Sequence, residues 1–186
     1  MSFHLGLPFL CLFFALSLFD GVKYPVMLVL AILIHECGHI LAARLAKAPM
    51  SAFSVGLHGF SMAFDFSALS YGKECFVILA GSVLGLISAA FALGISHNLA
   101  YFSAVSAVMA LLNLLPIRGL DGGEALSCIL GNFFLPDRTF RICRAVSWIT
   151  AIAFWMAAVW IQLRIHTNLS LLAAALYFLF RSGSSK

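Results

Sequence analysis

The sequence predicts an all-α polytopic membrane protein with about six transmembrane helices and a short membrane-associated β-hairpin. Three observations carry that prediction. Apolar side chains make up 63% of the 186 residues and charged ones only 10%, with eighteen Phe and a mean hydropathy of +1.06, well outside the range of soluble domains. The apolar residues gather into six runs, most of them close to the ~20 residues that cross a bilayer's hydrocarbon core. Between the second and third runs the hydrophobic period changes to two, the period of a strand.

The first run, Phe3 to Phe19, lacks the basic n-region and small-x-small cleavage site of a signal peptide and is read as a helix. The second, Val26 to Ala46, contains His35-Glu36-Cys37-Gly38-His39. Imidazoles spaced i, i+4 fall on one helix face a turn apart, close enough to ligate one metal ion, with a glutamate beside them to handle protons. Ionisable groups at one level of a membrane span are costly and mark function. Cys37 occupies a variable position of this motif and is given no chemical role.

From Phe53 to Phe66 the apolar residues fall first on odd positions (Phe53, Val55, Leu57) and then on even ones (Phe60, Met62, Phe64, Phe66), with the parity flipping around His58-Gly59. This predicts a hairpin. An extended substrate can add to such an edge as a further strand, so Phe53, Val55 and Gly56 are candidate substrate-binding positions. The alternative is an interfacial loop that sinks its Phe side chains among headgroups. His58, at the hairpin tip, is a further polar group whose role the sequence leaves open, and the lone His4, His97 and His166 read as interfacial.

The third run, Phe76 to Ile95, carries a stripe of small residues (Gly81, Ser82, Gly85, Ser88), the pattern of a close helix contact. The fourth, Leu99 to Pro116, leads into Asn113-Leu-Leu-Pro116-Ile-Arg-Gly-Leu120-Asp121-Gly122-Gly123. A zinc site built on HExxH takes a third protein ligand, commonly a carboxylate from elsewhere in the chain, and Asp121 is the candidate. It follows a helix-breaking proline and precedes two glycines that permit a sharp turn. The competing reading makes Asp121 a helix N-cap, with Glu124 completing a capping box ahead of Ala125 to Leu130. Asn113, about two turns before Asp121, is a candidate for hydrogen-bonding the substrate backbone, or else a polar staple between helices. The last runs are Ala145 to Leu163 and Leu169 to Phe180.

Six spans put both termini on one side. Arg44, Lys47, Lys73, Arg118, Arg138, Arg141, Arg144, Arg181 and Lys186 then share one face, and Lys23 and Arg164 the other. That bias predicts cytoplasmic termini, with the HExxH motif and Asp121 both toward the cytoplasmic leaflet and anionic lipid facing Arg138, Arg141 and Arg144. The net charge of +4 therefore reads as topology. No basic cluster is interleaved with aromatics, so nucleic acid is not an expected partner. The five Cys, at positions 11, 37, 75, 128 and 143, form neither CxxC pairs nor a disulfide spacing and read as apolar thiols.

An HExxH helix followed two spans later by Asn113-x-x-Pro116-x-x-x-Leu120-Asp121-Gly122 resembles the site-2 protease family of intramembrane zinc metalloproteases. The layout is similar to the compact six-span branch that includes the sporulation pro-sigma-factor proteases, and the match is carried by a core of about residues 26–123. The resemblance implies one integral-membrane protease domain over 1–186, with helices 1, 5 and 6 accessory. It further implies one Zn2+ ion held by His35, His39 and Asp121, and Glu36 as general base. It also implies peptide-bond hydrolysis in or near the transmembrane segment of a membrane-protein substrate, as in regulated intramembrane proteolysis, with a regulatory membrane partner; the small size and the absence of targeting signals point to a bacterial cell membrane. Phe53-Ser54-Val55-Gly56 is similar to the segment that forms a membrane-associated β-structure near the active site in relatives. Where many relatives read Ala-Gly-Pro-x-x-Asn, this chain reads Ala80-Gly81-Ser82-Val83-Leu84-Gly85, without the proline or the asparagine. Neither a PDZ nor a cystathionine-synthase-type module occurs in the 186 residues. Two other classes use intramembrane His, Glu and Asp: a zinc or proton transporter, expected to show repeated halves that are not evident here, and a catalytically silent binder of membrane segments.

Overall fold

A computed structural model of the chain describes residues 23–56, 59–67, 69–165 and 169–183. The predicted first span, His4, His58 and His166 lie outside the described residues. The chain divides into two compact units, Met1–Leu112 and Asn113–Lys186.

The first unit is built on helix α1 (Lys23–Ala46) and helix α2 (Tyr71–Ile95), joined by strands β1 (Met50–Gly56) and β2 (Gly59–Phe64). Helix α1 follows the logic of a membrane helix. Its packed face is small, with Ala31, His35, Gly38, Ala42 and Ala46 all buried, while Val26, Leu30, Leu33, Leu41 and Leu45 are exposed on the outer face. Small residues let helix backbones approach closely where lipid supplies no hydrophobic drive, and the large aliphatics cover the outside. The helix stops in a Schellman turn: Lys47 takes φ 61° and the Ala48 N–H reaches the Ala43 carbonyl at 2.8 Å.

The strands pair antiparallel, with Phe53 opposite Met62 and Val55 opposite Phe60, and an irregularity between Met50 and Ala52. The parity change in the sequence is thus a change of strand. Among the described residues the sheet has these two strands and no third, so each strand has one edge without a strand partner there. At the base of the strands Phe64 and Phe66 pack with Leu69 and Ala80 on a buried cluster of Ala42, Ala43, Ala46, Ala48 and Val77. A short 3-10 turn at His97–Leu99 then leads into helix α3 (Ala100–Asn113). Ser88 and Ser106 converge on the Gly85 carbonyl at 2.8 and 3.0 Å, and Ser103 donates to the Ala89 carbonyl at 2.7 Å, stapling α3 to α2.

The second unit contains helices α4 (Asp121–Gly131), α5 (Pro136–Ile165) and α6 (Leu169–Gly183). Helix α5 is 30 residues long, about 45 Å, and exceeds a hydrocarbon core of about 30 Å. It starts nine residues before the predicted fifth run, so Arg138, Arg141 and Arg144 lie on its N-terminal turns. Phe154 meets Phe178 of α6 edge to face at 5.5 Å.

Three described helices are long and apolar enough to cross a membrane: Pro25–Ala46, Tyr71–Ile95 and Pro136–Arg164. The chain is an integral membrane protein. The predicted fourth and sixth spans correspond to shorter helices, α3 of 14 residues and α6 of 15. Helix α3 ends at Asn113, three residues before Pro116, because a proline disfavours helical geometry in the residue before it and cannot donate within a helix.

Candidate metal centre

His35 and His39 lie on the inward face of α1, His35 buried and His39 half-buried. Their Nε2 atoms are 3.3 Å apart, with the rings edge to face at a centroid distance of 4.9 Å. Two nitrogens bound to one tetrahedral zinc at about 2.0–2.1 Å stand about 3.3–3.4 Å apart, so the pair is spaced as one edge of a zinc tetrahedron. The tautomer is set as well. His39 Nδ1 is 2.9 Å from the Val77 carbonyl oxygen, which can only accept, so Nδ1 carries the proton and the neutral ring keeps its Nε2 lone pair for a metal. The donor chemistry and spacing of this pair fit zinc.

Close approach of α2 holds the pair. A Cβ on Gly81 would lie 2.2 Å from His39 Nε2, and one on Gly38 would lie 2.6 Å from the Ala80 carbonyl oxygen. The two glycines therefore lie where α1 and α2 approach too closely for a Cβ, with the His39 imidazole lying on the Gly81 backbone. One turn further along, a Cβ on Gly85 would meet Ala110 Cβ at 3.2 Å and His35 Nδ1 at 3.9 Å. The small-residue stripe on α2, legible in the sequence as a helix contact, is thus the floor of the histidine pair. Val77, whose carbonyl orients His39, carries no sequence signal, because any residue offers that carbonyl. Glu36 is half-buried beside the histidines and Cys37 is exposed on the opposite side. Among the described residues Cys37, Cys75, Cys128 and Cys143 form no disulfide.

In the second unit Asp121 is the first residue of α4, not its N-cap. That position belongs to Leu120, which makes no side-chain capping bond. Glu124 Oε1 instead accepts the Gly119 N–H at 3.1 Å, two residues before the Asp121 N–H that the expected capping box would pair with it. Gly119 takes φ 80°, a left-handed turn suited to glycine. The loop 114–120 folds tightly onto the first turn of α4: a Cβ on Gly122 would stand 2.1 Å from the Leu114 carbonyl oxygen, and one on Gly123 2.1 Å from that of Ile117. The paired glycines thus serve close backbone packing that fixes where the helix begins. Asn113, half-buried, closes α3; the loop after it means that no continuous helix carries it toward Asp121. Phe53, Val55 and Gly56 lie on β1.

Residues 67–154 match the family model for peptidase family M50. The matched stretch begins after HExxH and includes Gly81 and the Asp121-Gly122-Gly123 turn. Among solved structures the chain is similar to the Site-2 Protease from Methanocaldococcus jannaschii, with a TM-score of 0.63 and 20% sequence identity over 94% of this chain and 84% of that one. At that identity the likeness is one of fold. No curated protein matches the chain.

Proposed function

From the match of residues 67–154 to the model for peptidase family M50, together with the HExxH pair that precedes it, we propose that the chain is an intramembrane zinc metalloprotease of the site-2 protease type. It hydrolyses a peptide bond in or near the membrane-spanning segment of a protein substrate, as one step of regulated proteolysis. The observation that carries this reading is the His35 and His39 pair, whose Nε2 atoms stand 3.3 Å apart. With Asp121 as the proposed third ligand the donor set would be two imidazoles and a carboxylate, and these three residues would hold one zinc ion.

Zinc bound there would acidify a coordinated water to a pKa of about 7 and polarise the scissile carbonyl. Glu36 takes the proton of the attacking water and returns it to the leaving amine, the two halves of general base and general acid work. The Val77 carbonyl keeps the His39 ring in the ligating tautomer throughout. The six-span layout, cytoplasmic termini, a site in the cytoplasmic leaflet of a bacterial membrane and a membrane-bound regulator complete the proposal; the nine-to-two split of Lys and Arg supports the orientation.

Purified chain reconstituted with a single-span reporter tests the reading. Cleavage is expected to stop on chelation and return with Zn2+; cleavage that persists in metal-free protein would refute it.

The open edge of the hairpin supports a mode of substrate handling. A helical segment hides its peptide bonds, whereas a strand paired on β1 exposes them, with Phe53, Val55 and Gly56 in contact. Proline at Val55 removes a backbone donor and is expected to reduce cleavage about tenfold with little change in thermal stability. Unchanged turnover would refute strand addition. Asn113 is proposed to bind the substrate backbone.

A further inference from the structure

A chain of buried hydroxyls leads from the Asp121 loop into the helix pair beside it. The Arg118 backbone N–H donates to Ser147 Oγ on α5 at 3.2 Å. Ser147 Oγ lies 3.0 Å from Ser182 Oγ on α6, and Ser182 donates to the Phe178 carbonyl at 2.9 Å. The shortest contacts order the hydrogens as Arg118 N–H to Ser147, Ser147 O–H to Ser182 and Ser182 O–H to Phe178, with the Ser147 carbonyl a longer second acceptor for Ser182 at 3.4 Å. Ser147 is 0% and Ser182 1% exposed, so both hydroxyls work inside the protein.

Depth makes the first link matter. Ser147 lies three residues past Arg144, about 4.5 Å along the helix into its apolar run. Irregular backbone at membrane depth persists only where protein satisfies its polar groups. Three further hydrogen bonds, Ile117 N–H to Leu115 O, Leu120 N–H to Ile117 O and Gly119 N–H to Glu124, shape the loop from within. The Arg118 bond ties it to α5, and the Arg118 guanidinium over the Phe140 ring at 4.7 Å adds a second tie to the same helix.

We infer that Ser147 is a positioning residue: its hydroxyl clamps the loop that delivers Asp121, and so sets the aim of that carboxylate. The inference rests on the metalloprotease reading for its consequence at the metal, and on the hydrogen bonds alone for the clamp.

The test uses the full chain in nanodiscs with Zn2+ as probe. Ser147→Ala is expected to weaken zinc binding roughly tenfold, and to accelerate amide exchange across residues 114–121 of zinc-free protein by a similar factor. Ser182→Ala removes the same α5–α6 hydroxyl contact but keeps the Arg118 bond, and is expected to change either quantity by less than about twofold. Ser147→Cys, close in volume but a weaker acceptor, is the second variant should the alanine protein fail to fold, with intermediate values expected. Wild-type behaviour of the Ser147 variants, or equal effects from Ser147→Ala and Ser182→Ala, would overturn the inference. A wild-type chain that binds no zinc would refute the metalloprotease reading, and the exchange result would still decide the clamp.

Discussion

Glu36→Gln is expected to lower cleavage of a reconstituted single-span substrate by about 10²–10⁴-fold, the range general base catalysis contributes, while zinc stays bound. Glutamine matches the shape of glutamate and still forms hydrogen bonds, but it cannot accept the proton of an attacking water. His35 and His39 are untouched by the change, and the Val77 hydrogen bond that orients His39 comes from the neighbouring helix. The pairing of retained metal with lost turnover separates the three classes open to an intramembrane His, Glu and Asp set. A silent binder would be indifferent to the change, and a transporter would alter ion flux into proteoliposomes. Cleavage near the wild-type rate would remove Glu36 from the chemistry.

Gly81→Ala is expected to abolish the site while sparing the fold. Helix propensity alone favours alanine over glycine by about 1 kcal/mol, so an innocent position would gain stability. Here the new methyl would fall 2.2 Å from His39 Nε2, 2.6 Å from its Cδ2 and 2.7 Å from its Cε1. The obstacle is the end of a side chain, which can swing away at little cost to the helix pair. Swinging away breaks the bond to Val77 and moves a ligand nitrogen off the tetrahedral edge. Losing the orienting partner of a ligand typically costs 10–100-fold in metal affinity. Displacement of the ligand itself is expected to cost about 100-fold or more, with a melting temperature close to wild type. Zinc titration and thermal denaturation of the variant check both halves; unaltered zinc affinity would show that His39 does not lie on Gly81.

Much of this site is legible in the sequence because its determinants are local. An i, i+4 pair in an apolar run specifies a shared helix face, and the parity flip at His58-Gly59 specifies a change of strand. The stripe of Gly81, Ser82, Gly85 and Ser88 announces a close contact without naming its partner. That partner, the His39 ring, depends on which faces of α1 and α2 meet, and a single helix pattern does not encode it. The Val77 carbonyl and the Ser147 hydroxyl are silent for the same reason: one belongs to the backbone, and the other is one more serine in an apolar helix. The register of the α4 cap differs from the Asp-x-x-Glu reading because Gly119 turns at positive φ and brings its own N–H to Glu124. The length of α5 differs because arginines extend a helix readily once it leaves the hydrocarbon, and hydropathy marks only the buried part.

The central claim is one zinc ion held by His35, His39 and Asp121. X-ray absorption of the purified, unchelated chain tests it most directly. The predicted result is one zinc per chain in a shell of nitrogen and oxygen at about 2.0–2.1 Å, with the occupancy lost in Asp121→Ala. Absence of metal, or a sulfur neighbour at about 2.3 Å that would implicate Cys37, would contradict it.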